Sequence, residues 1–115
     1  EISIAAPTHV GELKNGETRQ YTITPQQFGV QEYGDYSMLQ IDSAEASLTM
    51  LKQALAGDNQ AATDIVALNA GAAIYAANLS ADLESGVQRA REVIASGDAS
   101  RKLDALIAFS QKAGG

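Results

Sequence analysis

The sequence contains no cysteine and no tryptophan, and its single histidine is His9. Without cysteine the chain can form neither a disulfide nor a thiolate metal site, which is compatible with a reducing compartment. A lone histidine has no second histidine or cysteine with which to bind zinc. It also gives no basis for a Ser-His-Asp arrangement, because no serine stands at a motif spacing from it. We therefore interpret His9 as a structural residue.

Basic residues and long hydrophobic runs are also scarce. The 8 Lys and Arg residues are outnumbered by 14 Asp and Glu residues, which gives a net charge of −6. Nucleic acids and anionic membranes both attract clustered basic residues, so we expect neither as a partner. Residues 2–6 are too short for a signal peptide and have no basic residues before them. Together with the lack of cysteine, this predicts a cytoplasmic location.

The most apolar stretch, residues 61–79, predicts a central helix. Asp64 and Asn69 interrupt it, so it falls short of a membrane span. A helix that is apolar nearly all round is buried on most sides, and its alanines together with Gly71 would allow neighbouring elements to approach closely. One predicted face consists of Ile65, Leu68, Ala72, Tyr75, Ala76 and Leu79.

Asn69 is a polar residue on the predicted buried face of this helix. Buried amides are normally hydrogen-bonded, which favours a structural asparagine that bonds a neighbouring loop. Direct contact with a substrate is the alternative. Ala72, on the same face, is predicted to lie where a larger side chain would overpack the core.

A β-hairpin is predicted around Asn15-Gly16, the dipeptide that is typical of a two-residue turn with positive φ at both positions. The flanking strands are residues 8–14 and 17–24. A two-residue turn fixes the register, and the cross-strand pairs are then Lys14 with Glu17, Glu12 with Arg19, Val10 with Tyr21, and His9 with Thr22. Two of these pairs have opposite charge and one is apolar, as pairing rules favour.

The remaining pattern predicts an α/β fold. Residues 2–4 read as a short strand, which with the hairpin occupies residues 2–24, and residues 24–29 as one capped helical turn. The helical part, residues 42–113, contains helices at 42–57, 61–79, 81–96 and 98–113.

Residues 30–41 are predicted to be an ordered loop, whose Tyr33 and Tyr36 either dock on the core or stack on a ligand. A short strand and a hairpin make a poor sheet alone. We therefore expect further strands upstream of Glu1, and the lack of an initial methionine suggests a cut end.

Few residues are arranged for chemistry. No Gly-rich phosphate loop follows a strand and opens a helix. Glu1 and Glu12 are isolated carboxylates, and Asp82 and Glu84 suit the positive end of a helix dipole. We assign no catalytic and no cofactor-binding residue within the chain.

Several stretches, in order and spacing, resemble the C-terminal third of the anthranilate phosphoribosyltransferase family. The resemblance is carried by EISIAAPTHV at 1–10, YTITPQQFG at 21–29, DIVALNA at 64–70, AIY at 73–75, LESGV at 83–87, Ser96-Gly97 and Lys102-Leu103. It implies that residues 1–115 are a C-terminal fragment of the family's α/β domain, of a nucleoside phosphorylase/phosphoribosyltransferase-like fold. We call the larger protein the parent. The alternatives are a nucleoside phosphorylase or a non-enzymatic nucleic-acid-binding homologue of the same superfamily.

The resemblance also implies a function and a metal ligand. In the family an Asp-Glu pair helps to bind the magnesium that accompanies phosphoribosyl pyrophosphate, and Glu1 matches its second acid. The aspartate, the pyrophosphate loop and the anthranilate-binding residues would lie upstream, in the N-terminal part of the parent. The chain alone is therefore expected to be inactive, and the parent is expected to be a homodimer.

Overall fold

The computed structural model describes residues 1–31, 33 and 42–114. A β-hairpin and one 3₁₀ turn precede four helices, so the predicted α/β class is confirmed. The elements are β1 (Thr8–Lys14), β2 (Glu17–Ile23), the 3₁₀ turn (Pro25–Phe28), α1 (Ala44–Ala56), α2 (Gln60–Ala76), α3 (Leu83–Ser96) and α4 (Asp98–Gly114). The loop predicted at 30–41 lies mostly outside the described residues.

The hairpin has the predicted turn and register. Asn15 and Gly16 have φ angles of 54° and 78°, the positive values that a two-residue turn of this kind requires. β1 and β2 pair antiparallel, with Lys14 opposite Glu17 and His9 opposite Thr22. Within the described residues the sheet contains only these two strands.

Among the described residues, the segment predicted as a strand at residues 2–4 forms no ladder with another strand. Its backbone groups bond elsewhere. The side chain of Asn69 binds Ile2, the Ser3 N–H donates to Thr8 Oγ1 at 3.1 Å, and the Ile4 carbonyl accepts from the Tyr33 N–H at 2.8 Å. A strand needs a neighbouring backbone, and here side chains and a single loop amide take its place.

Polar caps set the starts of α1, α2 and α3, although several of the predicted boundaries shift. Ser43 caps α1, the helix predicted to begin at residue 42, and its Oγ accepts from the Ala46 N–H at 3.0 Å. α2 ends at Ala76 instead of residue 79, because Asn78 has a left-handed φ of 61°. Leu79 therefore lies beyond the helix and is 77% exposed.

The core forms around the first two-thirds of α2. Its buried members are Ile4, Val30, Ala61, Leu68 and Val87, with Ile2, Phe28, Tyr33 and Ile65 packed against them. Ala67 is also fully buried, although the helical pattern placed it away from the predicted face. Beyond Gly71 the helix emerges from the core, and the prediction that it is buried on most sides fails there.

α2 and α3 cross at two glycines. A Cβ built on Gly71 would lie 2.5 Å from both the N and the Cα atom of Val87, and one built on Gly86 would collide with the Gly71 carbonyl oxygen. The predicted role of Gly71 in close approach is confirmed. Ala72, in contrast, is half-buried and lines an open groove, so it is not the tight position that the pattern suggested.

No helix in the described ranges is both long and apolar enough to cross a bilayer.

Candidate functional site

Glu1, the predicted metal ligand, is exposed at the start of the described chain. No group of three or more His, Cys, Asp or Glu side chains in the described part of the chain could hold a metal ion. Magnesium commonly binds to one or two protein carboxylates and completes its shell with phosphate oxygens and water. The oxygen donor of Glu1 fits such a site as one ligand, and further ligands would have to come from outside the described residues.

Asn69 binds both backbone polar groups of Ile2, the residue after Glu1. Its Oδ1 accepts from the Ile2 N–H at 2.7 Å, and its Nδ2 donates to the Ile2 carbonyl at 3.1 Å. Nδ2 also donates to the Ile65 carbonyl, one turn earlier in α2, at 2.9 Å. Both amide donors are therefore engaged, which supports the structural interpretation of Asn69 over contact with a substrate.

Glu12 connects the hairpin to α2. Its carboxylate accepts from the Tyr75 hydroxyl at 2.6 Å and from the Tyr21 hydroxyl at 2.8 Å. Lys14 Nζ lies 3.3 Å from Tyr75 Oη and 5.1 Å from the ring centroid, while the Arg19 guanidinium lies 5.3 Å from the Tyr21 ring centroid. The sequence predicts the Glu12–Arg19 pairing, but the contacts of Glu12 with the two tyrosines were not predicted.

These contacts shift the pKa values of the groups involved. The hydroxyl of Tyr75, followed by that of Tyr21, lowers the pKa of Glu12 because both donate to its ionised form. Burial, followed by the bond to Glu12, raises the pKa of Tyr21 to about 12. The cluster is therefore built around an ionised Glu12 and a protonated Tyr21 at neutral pH.

A groove of about 370 Å³ separates the hairpin from the exposed half of α2. Its apolar wall includes Ile2, Val10, Leu13, Ile23, Ala72 and Leu83. Of the polar residues that line it, Glu12 accepts hydrogen bonds from Tyr21 and Tyr75. The chemical effect of this arrangement is to fix the hairpin against α2.

The Glu12 contacts predict a loss of stability in acid. The folded-state pKa of Glu12 lies below the usual glutamate value of 4.5, so the stabilisation is complete above pH 4.5 and disappears as the pH falls through the folded-state pKa. We expect the difference in unfolding free energy between wild type and Glu12→Gln to shrink between pH 7 and pH 3. Urea melts across this range would measure it. A constant difference would contradict the role of the ionised carboxylate.

Asp64 forms a second polar cluster, which is buried. Its side chain is 3% exposed and lies 3.3 Å from Arg91 Nη1, and it accepts from Gln60 Nε2 at 2.7 Å and from the Tyr33 hydroxyl at 3.3 Å. Burial, followed by the negative charge of Asp64, raises the pKa of Tyr33. This supports docking of Tyr33 on the core, whereas Tyr36 lies outside the described residues.

His9 takes the structural role expected for it. Its Nδ1 lies 3.0 Å from Thr22 Oγ1, the residue opposite it on β2. The pair connects the two strands on an exposed part of the hairpin.

Comparison with known proteins confirms the resemblance. Anthranilate phosphoribosyltransferase of Methylococcus capsulatus is 54% identical over 112 residues, which cover 97% of this chain and 33% of that protein. The enzymes of the same name from Acidovorax sp. (strain JS42) and Burkholderia ambifaria are 48% and 46% identical, with 97% of this chain and 32% of theirs covered. The chain thus spans about a third of the length of these relatives. Residues 1–100 match the family described as "Glycosyl transferase family, a/b domain". The chain therefore belongs to the glycosyl transferase family, as part of its a/b domain.

Proposed function

We propose that this chain is part of an anthranilate phosphoribosyltransferase, an enzyme of tryptophan biosynthesis that transfers the phosphoribosyl group of phosphoribosyl pyrophosphate to anthranilate. The observation that carries the proposal is the 54% identity to an enzyme of that name over 97% of the chain. All three relatives described above have this name, which favours the transferase over a nucleoside phosphorylase. The net charge of −6 disfavours a nucleic-acid-binding homologue.

In the proposed reaction the anthranilate amine displaces pyrophosphate from the anomeric carbon of the ribose. Glu1 is the residue of this chain that would bind magnesium, through its carboxylate. Magnesium, when bound, supplies positive charge next to the leaving pyrophosphate. The residues that bind pyrophosphate and anthranilate are expected in the N-terminal part of the parent, which we propose to be a cytoplasmic homodimer.

The 115-residue chain is predicted to be inactive alone. Orienting both substrates and the metal contributes orders of magnitude to rate, and this chain supplies one metal ligand. The loss of anthranilate fluorescence, in the presence of phosphoribosyl pyrophosphate and magnesium, measures turnover by the chain and by the parent. Turnover by the parent alone is the expected result, and turnover by the isolated chain would contradict the proposal.

Glu1→Gln in the parent is expected to raise the magnesium concentration for half-maximal turnover by about tenfold or more, because an amide is a weaker ligand for a hard cation than a carboxylate. The melting temperature should not change, since Glu1 is exposed. The matched control is Glu17→Gln, the same replacement at the exposed hairpin tip. An unchanged magnesium requirement in Glu1→Gln would remove Glu1 from the site.

A further inference from the structure

We propose that Asn69 is a positioning residue for Glu1, which it acts on through the backbone of Ile2. The inference rests on the proposed function, because it concerns the metal ligand proposed there. Its structural basis is the pair of hydrogen bonds from one side-chain amide to both polar groups of Ile2, at 2.7 and 3.1 Å. One peptide bond separates Ile2 from Glu1, so the clamp fixes the point from which the Glu1 side chain extends.

Asn69 is suited to this role because it is itself held in place. It lies in the middle of α2, and its third hydrogen bond, to the Ile65 carbonyl, fixes the amide against the helix. Ile65 packs against the core, and the neighbouring Leu68 is fully buried, with 0% of its surface accessible to solvent. A ligand supported by a rigid element is positioned more accurately than one on an unsupported segment.

Among the described residues, the Asn69 amide makes the hydrogen bonds to the backbone of residue 2, whose side chain also packs against the core. Further hydrogen bonds hold the same segment at Ser3 and Ile4. Loss of the Asn69 amide would therefore loosen the backbone closest to Glu1, while the contacts further along the segment stay in place. Binding the metal would then require ordering that backbone, which weakens binding. The expected loss of metal affinity is about 10–100-fold, as for other residues that orient metal ligands.

Asn69→Ser is the most selective variant. A serine in a helix can bond the carbonyl four residues earlier, so it can keep the bond to Ile65, but its side chain is too short to reproduce both bonds to Ile2. The matched control is Thr63→Val, also in α2. Thr63 Oγ1 donates to the Ala54 carbonyl at 2.6 Å, so this variant loses one buried bond without touching residues 1–8.

The test uses the full-length parent and two readouts besides turnover. The affinity for Mn²⁺ in the presence of pyrophosphate is measured by electron paramagnetic resonance, and hydrogen exchange of residues 1–7 is measured without metal. We expect Asn69→Ser to weaken Mn²⁺ binding about 10–100-fold and to speed exchange in residues 1–7. Thr63→Val should lower the melting temperature without changing either readout.

Two results would overturn the inference without contradicting the proposed function. One is an Mn²⁺ affinity of Asn69→Ser equal to that of wild type, while Glu1→Gln weakens binding; the proposed function would then stand without the positioning role. The other is unprotected exchange of residues 1–7 in the metal-free wild-type parent, a measurement that does not depend on any variant folding. If Glu1→Gln itself leaves Mn²⁺ affinity unchanged, the metal role of Glu1 fails first, and the positioning role fails with it.

Discussion

Gly71→Ala is expected to destabilise the protein by about 3 kcal/mol or more, through overpacking at the crossing of α2 and α3. The new Cβ would lie 2.5 Å from two backbone atoms of Val87, and backbone cannot move aside as a flexible side chain can. Alanine is normally the better helix former by about 1 kcal/mol, so helix propensity predicts the opposite sign. Urea melts that give the free energy of unfolding would decide between the two effects.

Gly11→Ala provides the matched control. It introduces the same methyl group in β1, where nothing lies within 4 Å of the new Cβ and φ is not positive. We expect a change of less than about 1 kcal/mol there. A Gly71→Ala protein as stable as wild type would show that the two helices do not cross as closely as the structure has them.

The turn and the register of the hairpin were predictable because their determinants are local. Asn15 and Gly16 alone select the turn, and a two-residue turn leaves one register. The observed pairs agree with it along the whole strand. Caps at residues 43, 59 and 82 are similarly local, since each side chain bonds an amide three residues away.

The features that sequence analysis missed are contacts between distant residues. Tyr75 reaches Glu12 across 63 positions, a contact that the sequence did not indicate. Asn69 reaches Ile2 across 67 positions, and the sequence predicted a bond to a neighbouring loop without identifying that partner. Periodicity shows that Tyr75 and Asn69 lie on particular faces of a helix, but it does not show what covers those faces. The segment predicted as a strand at residues 2–4 likewise pairs with no strand among the described residues, because a strand depends on a partner that no local pattern reveals.

At the candidate site, too, one assignment comes from the sequence and another from the packing that the structure shows. Resemblance assigned a metal-binding role to Glu1, and no local pattern in the chain does so. The structure adds the Asn69 clamp on the neighbouring residue, which comes from packing of the N-terminal segment on α2. The metal role of Glu1 therefore remains a proposal that the variants above test, whereas the clamp follows from the geometry.

Arg91→Leu is expected to destabilise the protein by about 2–3 kcal/mol, because it leaves the Asp64 carboxylate buried without its cation. Asp64 is 3% exposed and Arg91 is 28% exposed, so this pair is shielded from water mainly on the acidic side. The partial exposure of Arg91 places the expected loss below that for a fully buried pair. The bonds from Gln60 and Tyr33 remain, but neither donor carries a charge.

Two further variants separate the effect of leaving the buried Asp64 charge unpaired from the effect of losing the Arg91 side chain. Arg89→Leu, also on α3, removes an exposed ion pair with Glu92 at 3.8 Å and should change stability by less than about 1 kcal/mol. Adding Asp64→Asn to Arg91→Leu removes the unpaired charge, and an amide can still accept from Gln60. The double variant should therefore be more stable than the sum of the two single losses implies. Strict additivity in this cycle would mean that Arg91 stabilises the protein by packing of its aliphatic stem and not by pairing with Asp64.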